Sequence, residues 1–273
     1  MMRRARKYIL YIVLTAVAAL TFAPLAWMVS ASLMPTGQAS SLPIRVLPDG
    51  ATLAHYRDIF TRLNLGRYLL NSTLIAVSVT SISLIFNSMA GYAFAKCRFR
   101  GRDRLFKTLL AAMIIPGQVT MLPLFLMLNK TGLVNTYWGV IIPGLASVYG
   151  IFLIRQFALS IPDSLIDAAR IDGASDFRIY RTIILPLCKP VLITLAIFTF
   201  MGTWNDFIWP LIVMTDNSMY TLPVALANLV GEHVQDTELM MAGSVITILP
   251  VLLVFMSLQK YYIQGIMAGS VKG

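Results

Sequence analysis

Residues 68–95, YLLNSTLIAVSVTSISLIFNSMAGYAFA, form a continuous stretch without a charged side chain. At a rise of 1.5 Å per residue, about 20 apolar residues cross the roughly 30 Å of hydrocarbon in a bilayer. An α-helix is suited to this because it satisfies its backbone hydrogen bonds within the segment. The stretch therefore predicts a transmembrane helix, bounded by Arg67 and Lys96.

Five further apolar stretches repeat this pattern along the chain. Together the stretches predict six transmembrane helices at about 8–33, 68–95, 105–128, 133–156, 190–214 and 239–259. The composition agrees, because 58% of the residues are hydrophobic and 12% are charged, with a mean hydropathy of +0.75. Soluble domains carry about twice that share of charge. We expect an all-α integral membrane protein in which residues 1–273 form a single transmembrane domain.

The formal net charge of +10 is unevenly distributed. With the N-terminus inside, 17 of the 22 lysines and arginines fall in residues 1–7, 96–107, 155–189 and the tail after 258. This positive-inside bias predicts that both termini are cytoplasmic, and it explains the basic charge without nucleic acid. The first apolar run is about 26 residues, longer than the 7–15 of a signal peptide, so we expect an uncleaved first helix.

Motifs for chemistry are missing from the sequence. It contains no Gly-Lys-Ser/Thr, Gly-x-Ser-x-Gly, Cys-x-x-Cys or His-Glu-x-x-His. We expect His55 and His233 to be surface residues of outer loops, and Cys97 and Cys188 to be free thiols. Asp206 is the only acid or histidine within a predicted span, whereas ion-driven carriers bury several such groups. We therefore expect no catalytic site, metal or cofactor, and an energy source outside this chain.

The longest predicted inside loop, residues 155–189, has clear local helix signals. Ser160 and Asp163 have the spacing of a capping box, and Pro162 suits a first helical turn, where its missing N–H costs nothing. Gly173 is a natural C-terminal cap. These signals predict a short helix that ends at Gly173.

A second helical segment, Asp176–Leu185, is expected to end at Pro186. On the first helix, one predicted face contains Ile161, Leu165, Ala168 and Ala169, and the opposite face contains Asp163, Asp167 and Arg170. Asp167 and Arg170 are spaced to form an ion pair. Such a loop either lies on the membrane surface or docks on a cytoplasmic partner.

The residues Asp167-Ala168-Ala169-Arg170-Ile171-Asp172-Gly173-Ala174, followed by Ile184-Leu185-Pro186, resemble the Glu-Ala-Ala loop of ABC importer permeases. The resemblance extends over the whole chain to the second permease subunit of maltose-type carbohydrate importers. It includes Trp204-Asn205-Asp206-Phe207 and the ending Gln264–Gly273. The resemblance implies the type I ABC importer permease architecture and a non-catalytic subunit that forms half of a translocation pore.

The same resemblance implies partners in the bacterial cytoplasmic (inner) membrane. These are a second permease subunit in a heterodimer, two ATPase subunits that bind ATP-Mg, and an extracytoplasmic sugar-binding protein. The first loop helix would fit a cleft in the ATPase, through Asp163, Asp167, Ala168, Ala169, Arg170, Gly173 and Ala174. Asp167 departs from the family, which usually has Glu there, so its carboxylate reaches one methylene less.

Three other segments acquire candidate roles from the resemblance. Trp204, Asn205, Asp206 and Phe207 would line the pathway, although an interfacial aromatic belt is the alternative. In the outer loop 215–238, Asp216, Glu232 and Asp236 would meet the binding protein, unless the loop is merely solvated. In the tail 259–273, Gln264, Gly269 and Lys272 would contact the ATPases, unless the tail is a frayed, lipid-contacting end.

Alternatives to a sugar importer stay open. A non-sugar cargo such as glycerol phosphate or a polyol fits the same family. An ion-coupled secondary transporter would be supported by several buried acids and an internal repeat, and neither is visible. A membrane scaffold with a surface-lying loop is the remaining alternative.

Overall fold

The computed structural model describes residues 2–43, 45–61, 63–232 and 236–270, with backbone alone for 2–5, 229–232 and 261–270. This part of the chain is helical throughout its regular structure and contains no strand. The α-helices are α1 Met2–Ala31, α2 Ala54–Thr61, α3 Leu65–Lys96, α4 Arg102–Ala111, α5 Gly117–Lys130, α6 Tyr137–Ile141, α7 Val148–Leu159, α8 Asp163–Ile171, α9 Asp176–Ile179, α10 Leu185–Leu187, α11 Lys189–Trp204, α12 Ile208–Val213, α13 Leu222–Glu232 and α14 Thr237–Ser270.

Four described segments are long and apolar enough to cross a membrane as single helices. They are Arg6–Ala31, Leu65–Lys96, Tyr137–Leu159 and Thr237–Lys260. Two bent pairs raise the number to six if each pair is one span, namely Arg102–Ile114 with Gly117–Lys130 and Asp176–Leu187 with Lys189–Trp204. The six predicted apolar stretches coincide with these segments, so the prediction of an all-α membrane fold is confirmed.

Three predicted spans are not straight helices, and in the one predicted at 133–156 α6 ends at Ile141 while α7 begins at Val148. The segment predicted at 105–128 bends by 102° at Ile115, whose backbone is extended at φ −79° and ψ 118°. Ile115 precedes Pro116, and the proline ring disfavours the helical conformation of the residue before it. The segment predicted at 190–214 is interrupted after Trp204, and α12 begins only at Ile208.

Among the spans that the structure describes, helix α3 alone has neither a proline nor a break, and it runs for 32 residues. Ser83 and Ser88 are buried along it. A Cβ on Gly91 would lie 2.7 Å from Cγ2 of Ile154 in α7, so only glycine permits this close approach. Ser83, Ser88 and Gly91 thus lie on a part of α3 where it packs closely against other helices.

The chain forms two compact units, Met1–Arg67 with Leu222–Pro250 and Tyr68–Thr221 with Val251–Gly273. In the first unit, the backbone N–H of Ala39 donates a 2.6 Å hydrogen bond to the fully buried Glu238. His55 is also buried, at 3% exposure, with Nε2 2.9 Å from the Met34 carbonyl oxygen. The prediction that His55 is a surface residue is wrong, because this backbone contact satisfies the ring inside the unit. His233 lies outside the described residues.

The second unit has one apolar cluster around the loop at 160–187 and another around α6 and α12. The first cluster contains Tyr92, Ala95, Ala158, Ile161, Ile166, Ile179, Tyr180, Ile184, Cys188 and Val191. The second contains Ile75, Val79, Leu128, Val140, Ile141, Trp209, Val213 and Met214. Both clusters draw residues from α3, which connects them along its length.

Candidate functional site

Helix α8 forms in the loop that the sequence singles out, but its N-terminus differs from the prediction. The first helical residue is Asp163 and the cap is Pro162, with no side-chain cap hydrogen bond. Ser160 donates its hydroxyl hydrogen bond to the Phe157 carbonyl, 2.7 Å away, at the end of α7. The predicted capping box is therefore wrong, because Ser160 is used by the preceding helix. Asp163 still complements the positive end of the α8 dipole.

The C-terminus of α8 has the predicted glycine cap. Gly173 has φ +77°, in the left-handed region that favours glycine. Its N–H donates to the Arg170 carbonyl at 3.0 Å, and the N–H of Ala174 donates to the Ala169 carbonyl at 2.9 Å. This pair of bonds is a Schellman motif, and it turns the chain sharply after one short helix.

The second helical segment is longer than predicted. Ser175 caps α9 by accepting a hydrogen bond from the N–H of Arg178. A π-helical turn over Tyr180–Ile184 follows, and α10 continues to Leu187. The predicted end at Pro186 is wrong, because Pro186 lies in the first turn of α10, where a missing N–H is tolerated.

Arg170 connects the two short helices. Its guanidinium lies 3.7 Å from Asp167 and 3.3 Å from Asp176 at the start of α9. The predicted Asp167–Arg170 pair is confirmed. Because these groups are largely exposed, the two ion pairs contribute little to the free energy of folding, and their main effect is to orient the turn at Gly173.

The buried side of α8 is rotated relative to the predicted apolar face. Ile166 is 2% exposed and Ala169 packs against the first apolar cluster. Leu165 and Ala168 are exposed, although the prediction placed them beside Ile161 and Ala169. The difference arises because contacts with α3, α7 and α9 decide which side is covered, and these contacts are distant in sequence.

On α8 and α9 four apolar residues face solvent, and we call Leu165, Ala168, Ile171 and Phe177 the exposed apolar patch. Leu165 is 46% exposed, Ile171 86% and Phe177 62%. The three α8 residues are spaced by three, so they lie along one side of the helix. Exposed apolar patches of this kind mark sites where a partner or a membrane makes contact.

Lys96, at the end of α3, holds the start of α8, and sequence reasoning missed it. Its side chain is 5% exposed, and its ammonium donates to the Ile161 carbonyl at 2.6 Å and to Asp163 at 2.5 Å. The hydrogen bond and charge of Lys96 hold the pKa of the Asp163 carboxyl below its ordinary value. The carboxylate of Asp163, predicted as a partner contact, is thus already paired within the chain.

A second hydrogen bond joins α3 to the loop about two helical turns before Lys96. The hydroxyls of Ser88 and Tyr180 are 2.7 Å apart, and the rings of Tyr92 and Tyr180 are 5.8 Å apart. Ser88, Tyr92 and Lys96 are spaced by four, so they share one side of α3. That spacing is the sequence signal that identifies this side of α3 as a contact surface.

The fifth-span residues occupy different environments. Trp204 is 1% exposed and stacks on Phe200, with ring centroids 5.6 Å apart. Trp209 is buried, and its indole N–H donates to the Gly139 carbonyl at 3.2 Å. An aromatic belt needs rings at the lipid surface, so this alternative does not fit either tryptophan.

Asn205 and Asp206 lie in the break between α11 and α12. Asn205 is exposed, and Phe207 is half-buried. Asp206 accepts a hydrogen bond from the N–H of Trp209 at 3.4 Å. Together with Thr120 of α5, Asp206 lines a cleft of about 260 Å³.

The predicted outer-loop acids whose side chains are described belong to different units. Asp216, in the second unit, accepts a hydrogen bond from the N–H of Ser218 at 2.8 Å. Asp236, in the first unit, caps α14 by accepting from the N–H of Leu239 at 2.9 Å. The side chain of Glu232 lies outside the described residues.

The predicted tail is helical as far as it is described, because α14 continues to Ser270. Gln264 and Gly269 lie on this helix, and their side chains are outside the described residues. Lys272 is outside them altogether.

Comparison with known proteins agrees with the architecture. The family described as "Binding-protein-dependent transport system inner membrane component" matches residues 87–267. The arabinooligosaccharides transport system permease protein AraQ of Halalkalibacterium halodurans is 40% identical, over 92% of this chain and 91% of that protein. The lactose transport system permease protein LacG of Rhizobium radiobacter is 32% identical, over 99% and 98%.

A solved structure is similar over nearly the whole chain. It is a crystal structure of a bacterial ABC transporter involved in the import of the acidic polysaccharide alginate. The TM-score is 0.85 at 25% identity, with 95% of this chain and 97% of that chain covered. The fold is thus that of a type I ABC importer permease with several membrane spans, and the chain belongs to the family of inner membrane components of binding-protein-dependent transport systems.

Proposed function

We propose that this chain is one of two different permease subunits in an ATP-driven sugar importer of the bacterial cytoplasmic membrane. It forms half of the pore and has no enzymatic activity of its own. Two ATPase subunits bind and hydrolyse ATP-Mg on the inside, and a sugar-binding protein delivers cargo from outside. Supporting this, relatives over nearly the full length are permeases for arabinooligosaccharides and lactose.

The orientation that we propose places both termini and the loop at 160–187 in the cytoplasm. The support is the location of 17 of the 22 lysines and arginines in the inside segments of this topology. In this orientation the exposed apolar patch faces the cytoplasm, where a soluble ATPase can reach it.

The observation that best supports ATPase coupling is the two-sided character of α8. One side is fixed to the permease by Ile166 and by the bonds from Lys96. The other side exposes Ala168 and Ile171 beside the carboxylate of Asp167, which is 66% exposed. A helix with this arrangement docks on a partner through an apolar centre and a charged rim. Movement of the partner then passes directly into the packed helices.

The loop residues divide into two roles under this proposal. Asp167, Ala168 and Gly173 belong to the docking side and its bend. Asp163 holds the loop on the permease through Lys96, and Ala169 and Ala174 do so by packing against the first apolar cluster. Arg170 joins α8 to α9, so closure of the ATPases moves both short helices as one body.

The transport cycle that we propose is alternating access. ATP-driven closure of the ATPases pulls on α8, and rigid-body rotation of the packed helices opens the pore outward. Asn205, Asp206 and Phe207 are the pathway candidates that we retain from the fifth span, whereas Trp204 is buried. Asp216, Glu232 and Asp236 are proposed to meet the binding protein, and Gln264, Gly269 and Lys272 to meet the ATPases.

The test is uptake of labelled sugars into proteoliposomes that contain the complete complex. We expect uptake to require ATP on the cytoplasmic side and the binding protein on the other side. Uptake by this chain alone without ATP would refute the proposal in favour of a secondary transporter. A panel of arabino-oligosaccharide, lactose and glycerol phosphate decides the cargo, and transport of glycerol phosphate alone would overturn the sugar assignment.

A further inference from the structure

The two ends of α3 are hydrogen-bonded to two segments that lie on opposite sides of the membrane in the proposed orientation. At one end, Lys96 binds the start of α8, as described above. At the other end, Asn71 is 1% exposed and binds the backbone of the segment that follows α12. The 25 residues between Asn71 and Lys96 correspond to roughly 37 Å of helix, which is more than the thickness of the hydrocarbon.

Asn71 uses all of its amide functions in this contact. Its Nδ2 donates to the carbonyls of Ser218 at 3.0 Å and Tyr220 at 2.9 Å. Its Oδ1 accepts the hydroxyl of Tyr137, at 2.7 Å, from the start of α6. A buried amide with three good bonds fixes the segment strongly, because moving the segment would leave buried polar groups unpaired.

A second asparagine fixes the same segment from the loop before α6. The Oδ1 of Asn135 accepts from the N–H groups of Thr215 at 3.1 Å and Asp216 at 3.0 Å. The N–H of Asn135 in turn donates to the Val213 carbonyl at 2.8 Å. Residues 213–220 are therefore held as a preformed structure and move with the outer ends of α3 and α6. We call residues 213–220 the outer segment.

The body of α3 is suited to transmit movement between its ends. It lacks proline and has no break, unlike the other five spans. Asn87 is fully buried at its middle, where Oδ1 accepts from the N–H of Ser147 at 3.0 Å and ties α3 to the start of α7. Gly91 fixes the close approach to Ile154. A continuous helix with such fixed contacts shifts as a unit, since packed interfaces deform poorly.

We propose that α3 is a rigid link between the ATPase-facing loop and the outer segment, and that Asn71 and Lys96 are the positioning residues at its two ends. This inference rests on the proposed function, because it assumes that α8 receives the movement of an ATPase. Coupling between two binding sites is reciprocal. Binding at the outer segment therefore changes binding on the ATPase side by the same factor as binding on the ATPase side changes binding at the outer segment.

The test uses the complete transporter in nanodiscs, in a background in which Cys97 and Cys188 are replaced. One fluorophore is placed at the exposed position of Asn217→Cys in the outer segment, and another at Arg178→Cys on α9, in separate preparations. Both positions are exposed. ATP with vanadate is the trigger, and the change in fluorescence at each position is the readout.

In the unaltered transporter, both labels respond to the trigger. With Asn71→Leu or Lys96→Met, we expect the inner label still to respond while the outer response falls at least about fivefold, the lower end of typical coupling. Combining both substitutions reduces the outer response little further. The two residues act on the same link, so their effects do not add. Tyr137→Phe keeps both donor bonds from Asn71 and causes a smaller loss, which provides a measurement if Asn71→Leu does not fold.

Matched controls are available on the same sides of the membrane. Lys107→Met removes an exposed lysine near the inner end, and Asn129→Leu removes an exposed amide near the outer end. Both controls should respond normally at both labels. A full outer response in Asn71→Leu, Tyr137→Phe and Lys96→Met would overturn the rigid link. A missing inner response in the unaltered transporter would instead refute the proposed ATPase coupling.

Discussion

Lys96 and Asp163 are 67 positions apart in the sequence, yet the ammonium of one lies 2.5 Å from a carboxylate oxygen of the other. Their contact joins the last residue of a membrane-spanning helix to the first residue of α8. The lysine side chain is 5% exposed and the aspartate side chain is 79% exposed. The pair therefore lies at the margin of the packed helices, where it can fix the loop without closing off its exposed side.

Replacement of Lys96 tests this contact. We expect Lys96→Met to loosen α8, because the Ile161 carbonyl and the Asp163 carboxylate both lose their donor. Hydrogen exchange should rise in residues 161–171 and stay unchanged in α5. The control is Lys107→Met, which removes an exposed lysine from the same side. Equal exchange in the two variants would show that the contact has no positioning role.

The Asp163 carboxyl should be ionised throughout the physiological pH range. Lys96 lowers its pKa in the folded chain, so folding favours the charged form. The ion pair's contribution is then present above the ordinary pKa of about 4 and is lost as the pH falls through the lower folded value. Isotope-edited infrared spectra of wild type minus Asp163→Asn should show no protonated carboxyl band until the pH is below about 4. A band that appears near pH 6 would contradict the pairing.

We expect the turn at Gly173 to be needed for coupling ATP hydrolysis to uptake, in addition to any effect of its backbone strain on stability. Gly173→Ala forces a side chain into φ +77°, at a cost of about 1 kcal/mol, although open space surrounds the position. Gly173→Pro also removes the N–H bond to Arg170 and should uncouple ATP hydrolysis from uptake. Gly132 is the control, with φ +69° and equally open space. We expect Gly132→Ala to be strained similarly and to leave the ratio of hydrolysis to uptake unchanged.

The close approach of α3 and α7 should not tolerate a side chain at Gly91. A Cβ there would meet Ile154 at 2.7 Å and the Arg155 backbone nitrogen at 3.1 Å. We expect Gly91→Ala to destabilise the chain by about 1–3 kcal/mol, the usual cost of overpacking. Gly202→Ala is the matched change in α11, with no atom within 4 Å of the new Cβ. Thermal unfolding in detergent should separate the two variants, and identical midpoints would argue against tight packing.

Local chemistry explains what the sequence could predict. The apolar runs identify the spans, and Gly173 identifies the end of α8, because both depend on residues close together in the chain. The size of the bend at Pro116 does not follow from the sequence, since proline is often tolerated in membrane helices and its effect depends on neighbouring helices. The covered side of α8 was misplaced because long-range packing selects it. Lys96 was one basic residue among six in residues 96–107, and its partner lies in another loop.

The candidate site was predictable in location but not in the roles of its residues. Asp163 and Ala169 lie within the recognised loop, yet they contact the permease itself. Ile171 and Phe177 were not proposed as contacts, although they are the most exposed apolar side chains of this loop. A resemblance in sequence cannot show that Ala169 packs inward while Ala168 is exposed. Because the structure shows this, substitutions that test docking belong at Ala168 and Ile171.

The most direct test of whether the loop at 160–187 is the docking surface is retention of the ATPase subunits during purification of the complex in mild detergent. Ile171→Glu places a charge at the centre of the exposed apolar patch, and Leu42→Glu does the same at an 88% exposed leucine of the predicted outer loop. We expect Ile171→Glu to release the ATPase while the permease keeps its folded stability, and Leu42→Glu to retain the ATPase. Full retention with Ile171→Glu, at wild-type ATPase activity, would contradict the claim that this loop is the docking surface.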